Sequence, residues 1–142
     1  MLLPSILMKT NPILHHCAQQ IVSGSLKDVL EMYEKLGCKV VYNQTESKIP
    51  WAMVGQDQLN FAIQVLEDYE KPIEDLETKR KVHVAFLSSN PRGLLNEIEN
   101  WALGKGIKHR EGCWSEKELY FDLPDIFINF VVEVMHTSIL ED

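Results

Sequence analysis

At 142 residues, with 45% apolar and 25% charged side chains, the chain has the size and composition of one globular domain that buries a core without covalent staples. Its net charge of −7 argues against a nucleic-acid footprint, and three cysteines, with neither CxxC nor CxxH spacing, argue against a disulfide framework or a cysteine zinc site. Met1 to Met8 is apolar but short, holds Pro4 and lacks a leading basic region, so it does not read as a signal peptide. No stretch approaches membrane-spanning length, so the expectation is a cytoplasmic protein with no membrane partner.

Residues Ile13 to Val22 carry enough apolar and β-compatible side chains for a first strand. Ser25, with Asp28 three residues on, reads as a weak capping box. Leu26, Val29, Leu30, Tyr33 and Leu36 then recur at helical spacing, and Gly37 takes the terminal position that tolerates positive φ. Three short strand segments follow: Lys39 to Asn43, Trp51 to Val54 and Leu59 to Leu66, the last two separated by Gly55-Gln56-Asp57-Gln58. Asp68 to Lys81, polar, acidic and interrupted by Pro72, is expected to be a solvated connector.

Val82 to Leu87 alternates as a strand does. Asn90-Pro91 marks a helix start with proline in the first position, Leu94, Leu95, Ile98, Trp101 and Ala102 line one helix face, and Gly104 and Gly106 close it. Ile107 to Glu111, Glu118 to Leu123 and Ile126 to Met135 supply three further strands. Both halves therefore read β-α-β-β-β.

The sequence itself repeats at a spacing of 69 residues: Leu59-Asn60-Phe61-Ala62-Ile63-Gln64-Val65 lies on Ile128-Asn129-Phe130-Val131-Val132-Glu133-Val134. The same offset carries Trp51 onto Tyr120 and Gly37 onto Gly106. Each unit alone would expose a hydrophobic sheet face, and pairing two copies buries it. The expected fold class is α+β, with tandem βαβββ modules whose curved sheets surround a shared cavity. It is expected as a single domain over residues 13–135 (module one 13–67, module two 81–135), with an extension at 1–12 and a tail at 136–142.

A tandem repeat of this kind resembles the vicinal oxygen chelate superfamily, which includes glyoxalase I, bleomycin-resistance proteins, fosfomycin-resistance enzymes and extradiol dioxygenases. Met32-Tyr33-Glu34-Lys35-Leu36-Gly37 is similar to the family's Phe-Tyr-x-x-Leu-Gly helix end. Val82-His83-Val84-Ala85-Phe86 is similar to the strand that opens its second module, and Tyr120-Phe121-Asp122-Leu123-Pro124-Asp125 to its Tyr-Phe-x-Asp-Pro-Asp-Gly hairpin. Trp51 with Phe61-Ala62-Ile63-Gln64 resembles the glyoxalase-like branch.

The resemblance implies one divalent metal, held by His or Gln in each module's first strand and Glu in the last. His83 stands at such a position, and His16 is the first-module candidate with Gln20 behind it. Counting on from Pro124-Asp125 puts the expected carboxylate at Phe130, whose repeat mate is Phe61. Glu133 and Gln64 fall three residues on, on the opposite strand face unless a bulge shifts the register. The expectation is therefore a small-molecule-binding protein without the standard metal site. His16, Gln20 and His83 would supply polar contacts, and Trp51, Phe61, Tyr120 and Phe130 an apolar wall for a small organic ligand. No cofactor is expected on this reading.

The enzyme alternative is a metal-dependent lyase, isomerase or dioxygenase, with one divalent metal ion on His16, His83, Gln64 and Glu133. A third alternative is a structural domain whose cavity is filled by its own side chains. Members of the family often dimerise, so the resemblance also implies a possible homodimer. Adjacent His15 and His16 are expected to face opposite ways, His109 and His136 to be solvated, and Trp114 to sit near a loop where it covers the cavity mouth.

Overall fold

The computed structural model describes residues 11–141, so the signal-peptide reading of Met1 to Met8 lies outside the described residues. Two compact units divide the chain, the first ending at Asp68 and the second beginning at Tyr69. The connector thus belongs to the second unit.

In the first unit, β1 (His16–Val22) leads into α1 (Leu26–Lys35), then β2 (Lys39–Gln44), β3 (Trp51–Gly55) and β4 (Ala62–Asp68). The sheet order is β1-β4-β3-β2, with β1 parallel to β4 and the other pairs antiparallel. A parallel pair needs a crossover, and α1 provides it. Leu26, Val29, Met32 and Tyr33 of α1 are buried, as are Ile21, Ala52, Val54 and Val65 from the strands. Burying each of the larger aliphatic side chains contributes about 1.5–3 kcal/mol.

The second unit begins with a one-turn helix, α2 (Leu76–Lys79), inside the expected connector. It continues as β5 (His83–Ser88), α3 (Pro91–Gly104), β6 (Arg110–Ser115), β7 (Glu118–Asp122) and β8 (Val131–His136), with a 3-10 turn over Thr137–Glu141. The order β5-β8-β7-β6 repeats that of the first sheet. Leu95, Ile98 and Ala102 of α3 and Phe121, Val132 and Val134 of the sheet form its core.

Both crossover helices end in the same way. Cys38 and Ile107 donate back to the carbonyls of Tyr33 and Ala102 (3.0 and 2.8 Å), and Gly37 and Gly106 donate to Glu34 and Leu103 (3.0 and 3.2 Å). This closure requires a left-handed residue, supplied by Gly37 at φ +85° and Gly106 at φ +70°. It also consumes Ile107, which is why β6 starts at Arg110 and not at Ile107.

The helix starts differ. Ser25 donates its hydroxyl to the Val22 carbonyl (2.6 Å) and forms no capping box; the Leu26 N–H is instead taken by the Glu67 carboxylate of β4 (3.0 Å). Asn90 caps α3 from its own side chain, accepting from Gly93 (3.1 Å).

The strand register revises the repeat. Ala62 and Val131 are 69 residues apart, but their partners on the opening strands, His16 and His83, are 67 apart. On the third strands, Met53 faces Gln64 as Tyr120 faces Glu133, so Met53 and not Trp51 corresponds to Tyr120. The connection into β8 is two residues longer than its counterpart. Ile126 and Phe127 turn there, both donating to the Leu123 carbonyl (2.9 Å each), so β8 begins at Val131 and not at Ile126. A shift of two preserves strand parity, so corresponding faces still correspond.

Beneath β7, Lys79 of α2 meets Asp122 at 2.9 Å with both side chains fully buried, and Arg110 holds the other carboxylate oxygen at 2.8 Å. Burial pulls the Lys79 ammonium below its ordinary range, against the attraction of Asp122. Two expectations about histidines are corrected as well. The His109 side chain is only 3% exposed, packed flat against Phe121, and His136 is half-buried against Ser138. His15 and His16 touch, Nδ1 to Nδ1 at 2.9 Å, because His15 precedes the strand and strand alternation does not bind it. Among the described residues, no helix is long and apolar enough to cross a membrane.

Candidate functional site

Alternation places His83, Ala85, Tyr120 and Glu133 on one face of the second sheet, the face away from α3. Ala85 lies opposite Glu133, so its small side chain leaves the diagonal from His83 open. His83 Nε2 and Glu133 Oε2 stand 3.0 Å apart. β8 runs from Val131 to Met135 in unbroken register with β5, so no bulge is needed to bring Glu133 there. The position counted for a carboxylate, Phe130, lies elsewhere: it is fully buried and stacked on Phe127 at 4.2 Å, which in turn packs against Phe121. The ground for expecting no metal carboxylate is thereby removed, since it rested on counting through a connection whose length differs between the copies.

The pair is held from behind. His83 Nδ1 lies 2.8 Å from the Arg80 carbonyl, an acceptor only, so Nδ1 carries the hydrogen and Nε2 faces Glu133. In a neutral ring Nε2 is then a lone pair, facing a carboxylate oxygen that also offers lone pairs. A shared proton or a bound cation would satisfy both. Glu133 is 4% exposed; burial raises its carboxyl above the ordinary range, while His83 pulls it down.

Around the pair stand Trp114, Tyr120 and Arg80. The β6–β7 register shifts between Cys113 and Ser115, leaving Trp114 at the irregularity. Its ring is 4.8 Å from both His83 and Tyr120. Such bulges commonly re-aim a side chain beside a functional site. Arg80 donates to the Tyr120 hydroxyl (3.2 Å), and its guanidinium lies 5.3 Å from the Trp114 ring centre. Gly112, opposite Tyr120, has no side chain for a physical reason: a Cβ there would collide with the Tyr120 hydroxyl.

Of the residues singled out from sequence, His83 and Tyr120 come together here; Glu133 and Trp114 join them, and Arg80 had no sequence signal beyond its place in a polar connector. Phe130 is not on this face. In the first unit, register puts His16 and Gln64 at the positions of His83 and Glu133. Gln20 is bonded to Asp68 (2.7 Å), Trp51 stacks on Tyr42 (ring centres 5.3 Å apart), and Phe61 is half-buried just before β4. His15, Val41, Tyr42, Trp51 and Met53 line a cavity of about 310 Å³.

No protein-family model matches the chain, and no curated protein matches it. Solved structures do. Glyoxalase I of Leishmania major, described as trypanothione-dependent, is 15% identical with a TM-score of 0.57, covering 92% of this chain and 91% of that one. The fosfomycin resistance protein FosX from Mesorhizobium loti is 12% identical, TM-score 0.55, covering 93% and 95%. A mutant FosX from Listeria monocytogenes, in complex with Mn(II) and 1S,2S-dihydroxypropylphosphonic acid, is 13% identical, TM-score 0.54, covering 89% and 92%. The fold is that of the vicinal oxygen chelate superfamily.

Proposed function

We propose that this protein holds a divalent metal ion through His83 and Glu133 and acts on a small organic molecule that offers neighbouring oxygen atoms. The observation that carries this reading is the 3.0 Å approach of two electron-pair donors, Nε2 and Oε2, with Nδ1 already engaged behind them. Metal–ligand bonds of about 2.0–2.2 Å set two donors at right angles about 3 Å apart, so the pair fits an ion without rearrangement. Ring orientation by a backbone carbonyl is also how ligating histidines are usually fixed. The solved FosX complex with Mn(II) and a phosphonic acid lends support by analogy of fold.

Once bound, the ion would supply Lewis acidity to the oxygens of its ligand. The chain's own residues do the rest. Trp114 and Tyr120 offer a flat apolar wall beside the pair, and Trp114 excludes water from one side of His83. Arg80 holds the Tyr120 hydroxyl in place and offers positive charge to an anionic substituent. His83 is set by the Arg80 carbonyl, so the same residue positions both the ring and the hydroxyl.

A metal-free reading has its own observation, the cavity of about 310 Å³ in the first unit with the Tyr42–Trp51 stack in its wall. A planar organic molecule would bind there against the Tyr42–Trp51 stack, with His16 and Gln20 on the same face of the first sheet as further proposed contacts. Calorimetric titration of chelator-stripped protein with Mn²⁺ separates the readings. Saturable binding that His83→Ala and Glu133→Gln each weaken at least about tenfold supports the metal reading. Unchanged affinity in both variants would falsify it.

A further inference from the structure

We propose that Glu99, His109 and Glu111 form a second metal site in the second unit, on the helix side of its sheet, selective for a zinc-class transition-metal ion. It lies on the opposite face from His83 and Glu133. Glu99 comes from α3, Glu111 from β6, and His109 from the stretch between them. One donor atom from each falls within 4.8 Å of the others.

The imidazole marks this as more than a pair of acidic residues. Its side chain is 3% exposed, yet neither ring nitrogen has a hydrogen-bond partner. Carboxylate oxygens stand just out of reach, Glu99 Oε2 at 3.5 Å from Nδ1 and Glu111 Oε2 at 3.7 Å from Nε2. Glu111 Oε2 is likewise buried without a hydrogen-bond partner. Buried polar atoms of this kind are normally satisfied, and one ion would take one ring nitrogen together with the carboxylates, the other ring nitrogen keeping its hydrogen.

Arg92 does not fill that role. It binds the other oxygen, Glu111 Oε1, at 2.6 Å and leaves Oε2 turned to the histidine. It also answers only one of the two carboxylate charges. Donors on a zinc ion stand about 3.3–3.5 Å apart, so closure needs a contraction of about an ångström. Glu99, half exposed on the helix, is free to supply it. An adjoining cavity of about 640 Å³, lined by Glu99, His109 and Pro124, gives the ion and a water ligand a way in. One imidazole and two carboxylates suit zinc better than calcium or magnesium, which favour oxygen alone.

The test uses the full chain carrying His83→Ala and Glu133→Gln, stripped with chelator and titrated with Zn²⁺. One saturable zinc per chain is expected, with affinity reduced at least about tenfold by Glu99→Gln and by His109→Gln. Zinc should also raise the melting temperature of that background, and Glu99→Gln should remove the gain. Glu99→Gln is a helix-surface change, so it decides the matter should His109→Gln fail to fold. Absence of zinc binding in the background, or binding indifferent to Glu99→Gln and Glu111→Gln, overturns the site. Loss of the His83–Glu133 reading alone leaves wild type and background with the same single zinc, so the two failures are distinguishable.

Discussion

The two units have the same strand order and register, yet they place their chemistry differently. At matching positions the first has His16, Gln64, Met53 and Tyr42, and the second His83, Glu133, Tyr120 and Gly112. In the first unit the aromatic ring stands on the edge strand and stacks on Trp51, beside a neutral amide. In the second the edge position is glycine, the ring moves inward to β7, and a buried carboxylate meets a histidine. The difference teaches that the shared backbone sets positions only, while charge is a local decision of one copy.

The largest effect should come from the buried ion pair that the second unit alone is seen to carry among the described residues. Asp122→Asn leaves the Lys79 ammonium buried without its partner and should cost about 3–5 kcal/mol in urea denaturation. A loss below about 1 kcal/mol would mean that the pair is hydrated in solution. Gly112→Ala drives a methyl into the Tyr120 hydroxyl and should cost about 1–3 kcal/mol, with a change in Trp114 fluorescence that a remote effect would not produce.

Glu133→Gln makes the second unit resemble the first; a tenfold loss of Mn²⁺ affinity, about 1.4 kcal/mol, is expected in calorimetry. The first unit's buried contacts are milder: Tyr33→Phe removes one neutral hydrogen bond to Gln19 and should cost about 1 kcal/mol. The smallest effect is a gain. Gln64→Glu, added to Glu133→Gln, gives the first sheet a carboxylate at its register position and should restore part of the Mn²⁺ binding, measured by the same titration.

Much of the fold was legible in the sequence because its signals are local. Helical spacing marked α1 and α3, positive-φ glycines marked their ends, and Asn90-Pro91 marked a start that the structure keeps. The candidate site was legible in part. His83 and Tyr120 carried family-like context, but the carboxylate was assigned to Phe130 by counting through a connection two residues longer in one copy than in the other. Arg80 was hidden in an acidic stretch read as solvated, and His109 was read as solvated because it stands near a strand end.

The sequence by itself determined the α+β class, the tandem order and the places of the two crossover helices, α1 and α3, since these follow from periodicity and backbone preference over a few residues. Only the tertiary structure decided which carboxylate meets His83, which histidine is buried, and that Lys79 descends onto Asp122. Each of these depends on how distant strands and loops align, and a slip of one residue would exchange every side chain between faces. Register is fixed by packing across the whole sheet, which no local stretch of sequence contains.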